Sequence, residues 1–206
     1  ENTGGLAIID FGLKMPAEPV SVLSKTAVQK SADVQATQTH YLFTCGPVDL
    51  KLTFSAPLFL EDLDLVSRPV NYISYEAVSN DGNKHDVGIY FEASPRWASD
   101  KNWQETVSET YTKDGLVYLK AGTKSQEILA KKGDDLRIDW GYFYLAADAD
   151  KMDAGVGKAI DLRNCFKEGG RLSEIGVKGE NSEGRLSMSR DHGKAMTAAG
   201  SVMIGY

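Results

Sequence analysis

Residues 48–55, "VDLKLTFS", alternate strictly between apolar and polar side chains. Val48, Leu50, Leu52 and Phe54 fall on one side, and Asp49, Lys51, Thr53 and Ser55 on the other. A period of two is the mark of a strand with one buried and one solvated face. Gly46-Pro47 precedes the run and makes a tight connection to "THYLFTC", a second strand-like run. Such pairs have to be covered by further strands or helices, so the pattern selects a layered β protein.

The rest of the chain repeats this signal. "GLAIIDFGLKM" (Gly4 to Met15) and "AVQKSADVQAT" (Ala27 to Thr37) are strand candidates. "ETVSETYTKDGLVYLKAGT" (Glu105 to Thr123) reads as a hairpin around Lys113-Asp114-Gly115. "DLRIDWGYFYLAAD" (Asp135 to Asp148) is the longest aromatic strand candidate, and "GRLSMSRD" and "AMTAAGSVMIGY" close the chain. Helical signal is scarce. "SQEILAKKG" carries Ser125 as a start and Gly133 as a stop, enough for one or two turns. "GKAIDLRNCFKEGG" predicts a short helix ending at Gly169, within a long edge excursion over about 149–184.

The expected fold is all-β: an antiparallel β-sandwich with one or two short helices. No linker or repeat divides residues 1–206, which predicts a single β-sandwich domain. The chain opens without methionine and ends on the apolar run "SVMIGY". The expectation is that it continues past Tyr206 in a larger protein.

"YISYEAVSNDGNKHDVGIYFEAS" (Tyr72 to Ser94) has the pattern of a hairpin. Its apolar residues Ile73, Tyr75, Ala77, Val87, Ile89, Phe91 and Ala93 are all odd-numbered. Opposed residues in a hairpin have a constant sum, so a common apolar face requires an even sum. That predicts a three-residue loop, Asn80-Asp81-Gly82, with Gly82 left-handed, Tyr75 facing Val87 and Ile73 facing Ile89. In that register Glu76 and Glu92 stand too far apart for a glycosidase carboxylate pair.

Charge and composition exclude several classes. With 29 acidic and 23 basic residues the net charge is −6, and there is no basic stripe for nucleic acid. No run approaches the ~20 apolar residues of a membrane span. Two cysteines, Cys45 and Cys165, are too few for a disulfide framework or a structural zinc site. His40, His85 and His192 form no metal-binding spacing, and adjacent Asp191 and His192 point to opposite strand faces. "DADKMD" (Asp148 to Asp153) departs from the calcium-loop template at Met152 and reads as a solvated acidic turn. No nucleophile elbow, phosphate loop or dinucleotide fingerprint is present. The residues thus predict no catalytic residue, no metal and no cofactor.

What remains is aromatic. Arg96, Trp97 and Trp103 bracket the polar loop "ASDKN". Tryptophans so placed close the end of a core, pack on another domain, or stack on a sugar ring beside the guanidinium. They are the binding or domain-interface candidates.

The stretch from Thr44 to Ala98 resembles the glutaminase A-like proteins of fungi and bacteria. The resemblance runs through Gly46-Pro47-Val48, Phe54, Pro57, Asp64-Leu65, Arg68-Pro69, Tyr72, Asp81-Gly82, His85, Val87, Tyr90 and Trp97, in order. "DWGYFYLA" (Asp139 to Ala146) and the terminal "MIGY" are similar to later stretches of the family. The resemblance implies a secreted, periplasmic or envelope-associated protein. It implies an N-terminal β domain followed by a C-terminal helical barrel of the same protein, and hydrolysis of L-glutamine to L-glutamate and ammonia by the whole. No catalytic residue of the family maps onto this stretch. The expected partner is that helical domain. By analogy with glycoside hydrolases, the alternative is an accessory domain that takes a small-molecule or glycan ligand.

Overall fold

The computed structural model describes residues 27–134 and 138–206. The strand candidate at Gly4 to Met15 and the start of the one at Asp135 lie outside the described residues. The described chain forms two compact units. The first comprises residues 27–58, 72–88 and 191–201; the second comprises 59–71, 89–134, 138–190 and 202–206.

In the first unit the strands β1 (Val28–Val34), β2 (Gln38–Cys45), β3 (Val48–Ser55) and β4 (Val70–Ser79) lie side by side. The front of the last strand, β12 (Thr197–Gly205), adds to β4. Cys45 pairs with Val48, so Gly46-Pro47 is the two-residue connection the sequence predicts. The alternation of β3 carries through the sheet. Tyr41, Leu52 and Tyr75 form one cross-strand row, and Phe43, Leu50 and Ala77 the next. Phe43, Ile73, Tyr75 and Ala77 are buried. On the reverse side His40 Nδ1 meets Thr53 Oγ1 at 2.9 Å, and Thr44 donates to Asp49 at 2.7 Å.

The expected hairpin at 72–94 is not formed. β4 pairs with β3 and β12, whereas β5 (His85–Ala93) joins a different sheet beside β11 (Arg185–Ala195). Both edges of β4 are taken by strands from elsewhere in the chain, which leaves β5 no edge to pair with. Neither Val87 nor Ile89 is therefore a ladder partner of Tyr75 or Ile73. Residues 80–84 form an arch, with Gly82 left-handed at φ +79°. Asp81 Oδ1 holds the bend by accepting from Ser79 Oγ and from the Asn83 backbone, each at 2.9 Å, and contacting His85 Nε2 at 2.9 Å.

The second unit is two-layered. One sheet runs β12, β8 (Phe143–Asp148), β7 (Leu116–Thr123), β6 (Thr106–Lys113) and β10 (Lys178–Glu180). The other runs β5, β11 and β9 (Asp153–Gly157). The hairpin β6–β7 has the predicted turn, with Lys113 paired to Leu116 across Asp114-Gly115. Leu119, Ala121, Phe143 and Leu145 point inward and are essentially inaccessible, as are Val156, Leu186 and Met188. The fold class is all-β and antiparallel, as predicted.

Two helices complete it: α1 (Leu63–Val66), capped by Asp62, and α2 (Ala159–Lys167). α2 is the helix predicted to end at Gly169. Its Leu162 is fully buried, and Arg163 reaches Glu92 of β5 with Nε and Nη2 at 2.8 and 2.7 Å.

Two expectations are corrected here. "SQEILAKKG" is not helical, because Gln126 and Leu129 take left-handed backbone angles. The Gln126 side chain instead bonds both backbone groups of Gly141, at 3.0 and 2.8 Å. Beside this clamp the described residues 138–142 lie outside the ladder, and β8 starts at Phe143.

Candidate aromatic docking surface

Arg96 and Trp97 belong to a short 3-10 turn, Pro95–Ala98, at the end of β5. Pro95 supplies the fixed φ of a first helical position, and Ser94 Oγ accepts from the Arg96 backbone at 3.2 Å. Arg96 is used internally: Nη1 donates to the Gln104 carbonyl at 2.7 Å and closes the loop 97–104. Gln104 Oε1 accepts from the backbones of Asp100 and Lys101, each at 2.8 Å. Its amide nitrogen donates to Asp139 Oδ2 at 2.7 Å.

Asp139 ties this loop to the segment 124–141. Lys131 bonds Asp139 directly and lies 3.2 Å from Asp100 Oδ2, while Thr123 Oγ1 donates to the Asp139 carbonyl. The Lys131 bond, then the Gln104 bond, holds the Asp139 carboxyl below its usual range. The bond to Asp139 correspondingly raises Lys131. A satisfied network of this kind makes the two loops one rigid frame.

The frame displays apolar side chains. Trp97 packs against Phe143 with centroids 5.4 Å apart and is 40% exposed. Tyr206 lies on Phe143 from another side, centroids 5.9 Å apart, and its hydroxyl donates to the Trp97 carbonyl. Trp103 is 79% exposed, so it does not close the core. Ile128, Leu129 and Ile138, on the second loop, are also largely exposed. Sequence reading selected Arg96, Trp97 and Trp103 but not these three. Ile128 and Leu129 sat within an expected helix, where apolar residues imply a buried side.

Elsewhere the candidate chemistry is spoken for. His192 Nε2 meets Tyr75 Oη at 2.9 Å, and Asp191 accepts from the Gly193 backbone rather than orienting the imidazole. Glu92 accepts from Arg163 and from Tyr90 Oη at 2.8 Å, with Arg185 at 3.7 Å. Burial, then the charge of Glu92, pushes the Tyr90 phenol far above its usual range. Asp148 caps the 148–152 turn by accepting from Asp150 N at 3.0 Å, the acidic turn that was expected. Cys45 and Cys165 are both free, with burial raising each thiol. Among the described residues no three metal-ligating side chains converge, and no helix is long and apolar enough to cross a membrane.

A family profile described as "Domain of unknown function (DUF5127)" matches residues 37–206. The chain belongs to this family. Glutaminase A of Aspergillus oryzae is 28% identical to this DUF5127 chain over 184 residues, which are 86% of the chain but 26% of that protein. The chain thus spans about a quarter of that relative's length. The chain is an N-terminal domain of unknown function of the glutaminase A-like kind. Among solved structures, heparan sulfate lyase HepC from Pedobacter heparinus aligns at a TM-score of 0.43 and 10% identity, covering 87% of this chain and 21% of that one. A mutant of the same lyase gives 0.44. Both likenesses are too distant to argue from.

Proposed function

We propose that this chain is the noncatalytic β domain of a glutaminase A-like hydrolase. The parent converts L-glutamine to L-glutamate and ammonia. The surface bearing Trp97, Trp103, Ile128 and Leu129 packs on its C-terminal helical barrel and shapes the mouth of the cleft. The observation that carries this reading is Trp103, 79% exposed on a loop held by internal hydrogen bonds. A large apolar ring held rigidly in water marks an interface. The match to only a quarter of Glutaminase A leaves a partner region in a protein of that length.

A rival reading makes Trp97 and Trp103 a sugar-stacking pair of an accessory domain. It is weaker at this surface, because Arg96 is engaged with the Gln104 carbonyl and the neighbours are aliphatic.

Glutamine hydrolysis by the 206-residue chain is to be compared with that by the full-length protein. No turnover is expected from the chain alone, and turnover at a comparable rate overturns the reading. A photo-crosslinking residue in place of Trp103 in the full-length protein should attach to its C-terminal region. Attachment to solvent only would remove the docking role.

A further inference from the structure

The segment that leads into β4 is internally bonded and yet leaves its apolar side chains in water. Residues 59–69 form a short strap in the second unit. Asp62 N donates to the Phe59 carbonyl at 3.0 Å and closes a turn. Asp62 Oδ1 then caps α1 by accepting from Leu65 N at 2.9 Å. At the far end Ser67 N and Arg68 N donate to the carbonyls of Leu63 and Leu65, at 3.0 and 3.3 Å. α1 nevertheless buries no residue. Phe59, Leu60 and Leu63 are 57%, 74% and 76% exposed. Large apolar groups displayed together in water mark a contact surface.

Charge narrows what can lie against it. Glu61, Asp62 and Asp64 are interleaved with the apolar residues, and no lysine or arginine occurs from Ala56 to Ser67. Arg68, at the root, is the first cation, so the strap sets three carboxylates against one guanidinium. Among the described residues none of the three carboxylates is in an ion pair. Two copies meeting strap to strap would bring like charges together, and an anionic lipid surface or a nucleic acid would be repelled. The complementary surface has an apolar floor and a rim of lysine or arginine.

The root of the strap points to the carrier of that surface. The Pro69 carbonyl accepts from Tyr206 N at 3.3 Å. Gly205 packs so closely there that a Cβ would come 2.2 Å from the same oxygen. The Tyr206 hydroxyl in turn donates to the Trp97 carbonyl, so the strap and the Trp97 turn both touch Tyr206. We propose that residues 59–64 insert into a basic groove with an apolar floor in the C-terminal region of the same protein. This rests on the reading of the chain as one domain of a longer hydrolase, in which that region follows β12. A partner tethered so near the strap meets it at an effective concentration on the order of 1 mM. A contact of three apolar side chains then suffices, where a separate protein would need a wider one.

A photo-crosslinking residue in place of Leu60 in the full-length protein tests this. It should attach to the C-terminal region of its own molecule. Glu61→Lys combined with Asp64→Lys should cut the yield about tenfold, with the circular dichroism of the 206-residue chain unchanged. Glu61→Gln combined with Asp64→Asn, which adds no opposing charge, should cut it about threefold. Attachment between two copies overturns the proposal, as does reaction with solvent only or a yield indifferent to both pairs of substitutions. If the Trp103 probe attaches where the Leu60 probe does not, the groove is ruled out and the domain reading stands. If neither attaches, both fall.

Discussion

Gln104 donates its side-chain amide to Asp139 Oδ2 at 2.7 Å, across 35 residues of sequence. With its other end it accepts two backbone N–H groups, so one carboxamide joins both loops of the docking surface. Gln104→Ala leaves a buried carboxylate with one bond fewer and two amides unpaired. The expected cost is about 2 kcal/mol, or roughly 4–8 °C in Tm for a chain of this size. Limited proteolysis should cut between residues 97 and 104 sooner than in the parent chain. An unchanged Tm and digestion pattern would contradict the frame.

Glu92 lies between two guanidinium groups and a phenol, with 11% of its side chain exposed. Glu92→Gln keeps the size and removes the charge that balances Arg163 and Arg185. The expected loss is about 3 kcal/mol, read by urea unfolding. Glu92→Leu combined with Arg163→Leu should lose less than the two single losses added together, because each single change strands a charge.

Asp81 gives the arch its pH dependence. The His85 contact, followed by the Asn83 backbone bond, holds its carboxyl well below the usual 3.8. A depressed folded-state value means that the stabilisation is complete above the ordinary carboxylate range and disappears as pH falls through the lower one. Asp81→Asn should therefore destabilise the chain near pH 6 and make less difference near pH 2. An equal effect at both would show that the charge is irrelevant.

Trp97 and Trp103 should separate in a stability assay. Trp97 packs on Phe143, so Trp97→Ala should lower Tm by several degrees. Trp103 is exposed, and Trp103→Ala should stay within about 0.5 kcal/mol of the parent. A matching loss at Trp103 would mean that its ring supports the fold.

These contrasts explain which parts of the molecule were legible beforehand. The pairs β2–β3 and β6–β7 follow from alternation because a two-residue turn closes each locally. The run 72–94 has the same alternation, but its partners are β3, β11 and β12, and no local signal ranks them above its own neighbour. Gln126 turns a helix-like segment into a clamp only because Gly141 is present in space. Trp103 was identifiable by residue type.

The strand β12 is translated well after the strands it pairs with. Its residues 197–201 serve the first unit and 202–205 the second, where Met203, Ile204 and Gly205 pair with β8. A ribosome that adds about 5–20 residues per second needs on the order of 6–24 s to go from the end of β4 to the start of β12. Until then β4 and β8 each carry an open edge, the kind that recruits foreign strands. Production of this domain should thus depend more on chaperone supply, and on the speed at which the codons of β12 are read, than the stability of the finished domain would suggest.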